Sequence, residues 1–513
     1  MPTRSESAWL DAARSEILHG QLQAAQATLH AALGEFPDSV DLHRAAAGVF
    51  QQIGEPDRAA ATLRDLLARD PGDRASAFAL VRTLKPQGRT AAAAAVLRAC
   101  MAQAANRDDA NLAIAAIELL NDCDRRRDAF AIADAALTGN PDDPRLHAYA
   151  GMLAIQLGEF ERARRHYLFA LDHAPSALEW HVPIGLASTL RYTDTGHPDC
   201  ARFRAGLQRN DLSPLARAEL HFALGKACDD AGELAAAAGH FRDGNAIRHR
   251  HTPWRAKAWR RVLAVRMAAQ RGAIAADPLP AFTPIFIVGM PRTGTTLLAE
   301  LLARFAGVIN RGELATLPQL ADQLAAHGTP TPAIVNAAAA QYIRLARQDD
   351  AGAAQWCIDK QPLNFRYLDV ALALFPNARI IHCQRAARDT ALSLWMQCFL
   401  EDVQGYAYDF DDMALVMRGE QRLMAHWHDL YPDAIRDVHY ETLVAAPEAT
   451  LDALGAWLGL RPAPPAIDTP VAAPDSTIST ASLWQARQPI HTRSVGRSAA
   501  YLAYVPELAR WPK

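Results

Sequence analysis

Apolar positions along this chain follow two rhythms. Residues 1–250 carry Ala and Leu at helical spacing with almost no β-branched runs, which predicts an all-α region. Beyond residue 282 short apolar, β-branched runs end in turns and pass into helical segments. Pro284–Leu302 shows the pattern: Ile285–Val288 predicts a strand, Gly289–Thr296 a loop, and Leu297–Leu302 the start of a helix. Further apolar runs begin at Val308, Trp356 and Ala378, and Val438–Val444 predicts a strand leading toward a helix over Glu448–Leu458. Residues 251–281 read as a linker or connecting helix, closing in the proline-bearing stretch Ala275–Pro284.

Within the helical half a Gly recurs with Ala five residues later and Pro seventeen later. The copies are Gly20/Ala25/Pro37, Gly54/Ala59/Pro71 and Gly158/Ala163/Pro175. Gly88/Ala93 lacks the Pro, Asp124/Ala129/Pro141 replaces the Gly, and Gly232/Ala237 is a degenerate late copy. The 34-residue step from Gly20 to Gly54 to Gly88 matches the tetratricopeptide (TPR) repeat, a pair of antiparallel helices per unit. A solenoid with a concave groove follows, either for a peptide or partner protein or as a scaffold that supports or dimerises the second domain. Ser176–Asn210 breaks the period and predicts an inserted loop or longer connection.

The spacing Gly289-x4-Gly294-Thr295-Thr296 nearly reproduces the nucleotide loop G-x4-G-K-[ST], with Thr295 where the lysine belongs. Loop amides at the positive end of a helix suit phosphate or sulfate. Losing the lysine argues against ordinary ATP hydrolysis, and Arg292 supplies the cation instead.

Charge and cysteine content narrow the setting. A formal charge of -3, from 53 basic and 56 acidic residues, gives no overall drive toward nucleic acid or a membrane surface. The basic cluster Arg248–Arg261 reads as a solvated helix face. Seven scattered Cys residues without a CxxC pair fit a reducing compartment, and no signal-peptide core or long apolar run is evident, so a cytoplasmic protein is expected. No His/Cys/Asp group has metal-ligand spacing.

The loop PRTGTTLL resembles the 5′-phosphosulfate loop of sulfotransferases that use 3′-phosphoadenosine 5′-phosphosulfate (PAPS), especially the tyrosylprotein sulfotransferases and their bacterial TPR-fused relatives. The resemblance implies an α/β domain over 282–513 with a mainly parallel sheet, a sulfotransferase variant of the P-loop fold. It further implies that Pro291, Arg292, Thr293, Gly294, Thr295 and Thr296 bind the donor, with Arg292 neutralising the leaving phosphate. Glu313, after Val308-Ile-Asn-Arg-Gly, resembles the catalytic glutamate that takes the acceptor's proton. In Asp359-Lys-Gln-Pro-Leu-Asn364 the DKxPxN pattern is similar to one in the bacterial enzymes, where the lysine, here Lys360, assists the leaving phosphate.

Arg385 and Ser393 look like the pair that grips the 3′-phosphate of PAPS, a forked cation and a hydroxyl suited to phosphate oxygens. Arg388 and Asp389 are expected to pair with each other at a helix start. By the same resemblance Tyr440 lines the adenosine pocket and Arg487 or Arg497 closes over the 3′-phosphate. His382, inside a strand, and His439 read as buried structural histidines, His382 remaining the second candidate for the base. The resemblance thus implies transfer of a sulfuryl group from PAPS to an acceptor hydroxyl or amine, a tyrosine of a protein or peptide among the candidates, leaving adenosine 3′,5′-bisphosphate and needing no metal. A P-loop kinase or NTPase, or a TPR adaptor that binds nucleotide without reacting, are the alternatives.

Overall fold

A computed structural model describes residues 4–252, 254–269, 275–277, 281–326, 328, 330–349, 354–399, 402–460 and 490–512. The chain divides into two compact units, Met1–Tyr149 with Arg347–Asp350, and Ala150–Ala346 with Ala351–Lys513.

The first unit is built of helical hairpins: Glu6–Leu18 with Leu22–Glu35, Val40–Gln52 with Pro56–Arg69, Arg74–Leu84 with Thr90–Met101, and Ala110–Asp122 with Arg126–Gly139. The first three hairpins turn through a left-handed glycine (Gly20, Gly54, Gly88), and Asp124 takes the same conformation at φ 60 in the fourth. Asp is among the few side chains that tolerate this region, which explains how it substitutes for Gly in the repeat. Ala25, Ala59, Ala93 and Ala129 are fully buried, so their small size lets the paired helices approach. Ser39, Asp73 and Asp109 accept backbone N–H groups at the starts of successive hairpins.

The second unit opens with more of the same pattern and ends in a sheet. Gly158 and Gly232 are left-handed, and Ala163 and Ala237 are fully buried. The irregular stretch folds as two short helices, Val182–Ala187 and Pro198–Leu207, joined by a loop. Buried Tyr192 and Arg164 both bind Asp199 there, at 2.9 and 2.6 Å.

Five strands follow: β1 (Thr283–Gly289), β2 (Val308–Asn310), β3 (Trp356–Asp359), β4 (Arg379–Gln384) and β5 (Ile435–His439). They lie in the order β2-β3-β1-β4-β5, and every pairing is parallel. Central β1 is buried throughout; Phe286 and Val288 pack into one layer, Ile285 and Ile287 into the other, as a sheet covered on both faces requires. β5 stops at His439, so the run through Val444 is corrected: Tyr440–Ala445 is a short helix, followed by Pro447–Leu458.

The helices Pro214–Asp230 and Leu234–His251 belong to this second unit and bond to its sheet region. Asn245 donates to Trp395 O at 2.8 Å, and Arg248 to Phe399 O at 2.6 Å. Arg248 is therefore buried and not part of a solvated face, whereas Arg250, Arg255, Arg260 and Arg261 are exposed. No described helix is long and apolar enough to cross a membrane.

Candidate active site

All five strands deliver a predicted site residue at or just beyond their carboxyl ends. Gly289 opens the loop after β1, Glu313 follows β2, Lys360 follows β3, Arg385 follows β4 and Tyr440 follows β5. In open α/β sheets this edge is where ligands bind.

Two glycines of the loop are sterically required. A Cβ on Gly289 would lie 2.3 Å from Cys383 O, and one on Gly294 2.7 Å from the Tyr440 ring. Gly294, at φ 92, precedes the helix Thr295–Leu302, where Thr295 and Thr296 are buried; Pro291 is buried too. Thr293 donates to Met290 O at 2.7 Å and closes the turn.

Arg292 holds a left-handed backbone, φ 73, and from it reaches Ser393: its Nε donates to Ser393 Oγ at 3.2 Å. Arg385 donates to Arg292 O at 3.0 Å and to Ser494 O at 2.6 Å, and its guanidinium lies 4.8 Å over the Tyr440 ring. Burial, then the neighbouring guanidinium groups of Arg385 and Arg497, push Arg292 down to about 10. Burial likewise lowers Arg385. Like charges gathered out of water are costly, and an anion placed among them relieves the cost. Arg385 Nε is also buried without a partner among the described residues, a donor suited to an anion's oxygen.

The sequence suggests that the Arg292 loop and the Arg385/Ser393 pair hold two separate ends of a nucleotide. In the structure the two adjoin, the Arg292 side chain being in direct contact with Ser393.

Arg497 pairs with Asp229 of the helix Pro214–Asp230, and Tyr501 donates to the same carboxylate at 2.6 Å. Against opposing burial, Asp229 lifts Arg497 above its ordinary value. Asp389 accepts from Gly496 N at 2.6 Å and Ser498 N at 2.8 Å, and Arg388 donates to Leu508 O and Trp511 O. Arg388 and Asp389 therefore fasten the C-terminal segment instead of pairing with each other, a role whose partners lie over a hundred residues away and leave no local sequence signal. Arg487 falls outside the described residues.

Around β3 a second group assembles. Lys360, 2% exposed, forms an ion pair with Glu313. The Glu313 turn is fixed by Lys360 N donating to Gly312 O (2.7 Å) and by Asn310, which accepts from Gly312 N and donates to Glu300. Asp359 is fully buried and accepts from Tyr342 OH (2.8 Å), Asn364 Nδ2 (3.2 Å) and Leu314 N (3.4 Å). Burial pushes its carboxyl up to about 7. Both Asp359 oxygens are thus engaged within the protein, unlike an aspartate presented to magnesium.

His382 is buried, as expected, and lies between Glu420 (2.6 Å) and Asp437 (2.9 Å). Burial disfavours its charge, but the two carboxylates outweigh that and raise it to about 9, a poor base for catalysis near neutrality. His439 is exposed, which corrects the reading of it as buried. Along the chain no metal set is evident. In space His382, His428 and Asp437 place their ligand atoms within 4.8 Å of one another, from three different elements.

The parallel sheet carries its glycine-threonine loop after the central strand, and helical repeats precede it. The Sulfotransferase family profile matches residues 284–464, and the Tetratricopeptide repeat profile matches 16–84. An uncharacterized protein of Aquifex aeolicus is 31% identical over 193 residues, 34% of this chain and 25% of its own length. A protein-tyrosine sulfotransferase of Drosophila melanogaster is 27% identical over 182 residues, 32% of this chain and 35% of its own length. The chain thus spans about a quarter to a third of these relatives. Among solved structures, the sulfotransferase domain of the Synechococcus PCC 7002 olefin synthase aligns at 20% identity and TM-score 0.34, over 47% of this chain and 97% of that one. The MamA protein aligns at 15% identity and TM-score 0.27, over 34% and 94%.

Proposed function

We propose that this protein transfers a sulfuryl group from PAPS to an acceptor hydroxyl, with a tyrosine of a peptide or protein as the acceptor class. The observation that carries the reading is the convergence of Arg292, Arg385 and Ser393 beneath the loop glycines, with the Tyr440 ring against both Gly294 and Arg385. Arg385 and Ser393 bind the 3′-phosphate, and Arg292, whose guanidinium already lies on Ser393, joins them. Amides of Gly294–Thr296 at the start of the following helix neutralise the 5′-phosphate as it leaves. Tyr440 lines the adenosine side, and Arg497, steadied by Asp229, adds charge at the 3′ end.

In the reaction the acceptor oxygen forms a bond to sulfur while the bond from sulfur to the 5′-phosphate oxygen breaks. Glu313 takes the acceptor's proton; Lys360 holds Glu313 in place and sets positive charge beside the reacting centre. The products are the sulfated acceptor and adenosine 3′,5′-bisphosphate. The likeness to a protein-tyrosine sulfotransferase and the helical repeats, a fold that suits peptide binding, support the acceptor class.

The test is transfer of radiolabelled sulfate from PAPS to a panel of tyrosine peptides, sugars and phenols. Label in the peptides supports the whole reading; label only in sugars or phenols overturns the acceptor class. Binding of the bisphosphate with no label transferred to any of them makes the protein an adaptor and overturns the activity.

A further inference from the structure

A cluster at the sheet's outer edge, part buried and part exposed, has no part in the proposed transfer. His382 on β4 and Asp437 on β5 are register partners in the parallel pairing, and His428 comes from the helix Phe410–Leu430. Asp437 Oδ1 lies 2.9 Å from His382 Nδ1 and 3.0 Å from His428 Nε2. Two imidazole nitrogens and one carboxylate oxygen thus lie within 4.8 Å of one another. Such a group is held either by ring N–H groups donating to the carboxylate or by a metal among the three atoms.

Two further features favour a metal. Ligands of a tetrahedral zinc ion, at about 2.0–2.1 Å from it, are roughly 3.3 Å apart; the two contacts to Asp437 lie close to that spacing, and the two ring nitrogens, within 4.8 Å of each other, would close around an ion. Independently, Glu420 Oε1 accepts from the far nitrogen of His382, Nε2, at 2.6 Å and is itself buried. A carboxylate on the far nitrogen holds the ring and keeps the Nε2 proton, so that only the Nδ1 proton has to leave for an ion to bind there, an arrangement typical of metal-bound histidine. His428 and Asp437 are 32% and 39% exposed, so an ion can enter from solvent.

We infer that His382 Nδ1, His428 Nε2 and the Asp437 carboxylate form a binding site for a divalent transition ion of the zinc class, with Glu420 as the outer carboxylate and water completing the shell. The ion replaces a proton at Nδ1 and ties the helix Phe410–Leu430 to β4 and β5. Arg385 and Tyr440, the stacked pair of the nucleotide site, lie three residues on from His382 and Asp437, just past the ends of those two strands, so the ion braces that pair from behind.

The full chain, stripped with chelator, is titrated with cobalt(II) chloride while visible absorption is followed, and with zinc chloride in competition and by thermal unfolding. One equivalent bound, with tetrahedral cobalt absorption, competition by zinc and a higher melting temperature, is expected. His428→Ala and Asp437→Ala, both at part-exposed positions that tolerate change, abolish it. Glu420→Gln weakens binding by about 10–100-fold, as loss of an outer carboxylate does, whereas a purely structural role for Glu420 lowers the melting temperature and leaves metal affinity unchanged. Failure to bind either ion at micromolar concentrations, or binding that survives both alanine variants, overturns the site. The readouts do not use sulfuryl transfer, so they stand or fall apart from the proposed activity.

Discussion

The helical hairpins of the first unit and the carboxyl edge of the parallel sheet treat charge in opposite ways. In the hairpins the buried set is small and apolar, such as Ala25, Leu29, Ala59, Leu63, Ala93 and Leu97, while pairs such as Arg58–Glu55 stay at the surface with 58% and 40% of their side chains exposed. At the sheet edge Asp359 and Lys360 are buried, and Arg292 and Arg385 crowd together. A repeat needs only its packed face to stack, so its charges remain in water. Buried charge lowers stability, and its concentration at one edge of one sheet is what marks the chemistry.

If that contrast is right, removing a charge at the sheet edge changes function, and removing one from a hairpin changes nothing. The largest effect is expected for Glu313→Gln: turnover in the labelled-sulfate assay falls by about 10²–10³-fold, the cost of a lost transition-state contact, while bisphosphate affinity is retained. Full turnover in this variant would move the base elsewhere.

Asp359→Asn sharpens the contrast through pH. The folded carboxyl titrates at about 7 against a usual 3.8, so the folded state holds the extra proton between those values. The group's stabilising contribution is therefore complete below 3.8 and is lost as pH rises through 7, with a slope of at most about 1.4 kcal/mol per pH unit. Chemical denaturation from pH 4 to 8 should show that slope in the parent chain and a flatter profile in the variant; equal profiles would mean the carboxyl is not held protonated.

Asp229→Asn releases Arg497 and weakens the Tyr501 bond, and roughly tenfold poorer bisphosphate binding is expected, equivalent to about 1.4 kcal/mol. Calorimetry that finds unchanged affinity would remove Arg497 from the site. Smallest is Glu55→Ala in a hairpin, where breaking an exposed pair should alter unfolding free energy by less than about 0.5 kcal/mol and leave binding untouched.

Much of this was legible because its signals are local. The 34-residue step, the buried Ala positions and the turn glycines follow from one repeat's own packing, and even Asp124 falls on the left-handed position the spacing marks. The strand, loop and helix at Pro284–Leu302 likewise announce themselves by composition. What stayed hidden depends on contacts between distant segments. Nothing near Asp229 says that it will hold Arg497, 268 residues on, and nothing near Arg388 says that it will bind Leu508 and Trp511. The direct bond from Arg292 to Ser393 also escaped, because it depends on a left-handed arginine that no propensity favours. The His382/His428/Asp437 group comes from three elements and has no spacing to find.

The central claim is that converging arginines recognise a nucleotide by its 3′-phosphate, and comparing two ligands that differ only there tests it most directly. Calorimetric titration of the full chain should show adenosine 3′,5′-bisphosphate binding about 100-fold more tightly than adenosine 5′-monophosphate, roughly the worth of two charge-assisted hydrogen bonds, with the difference largely gone in Arg385→Ala. Equal affinities in the parent chain, or a preference that survives Arg385→Ala intact, would contradict the account.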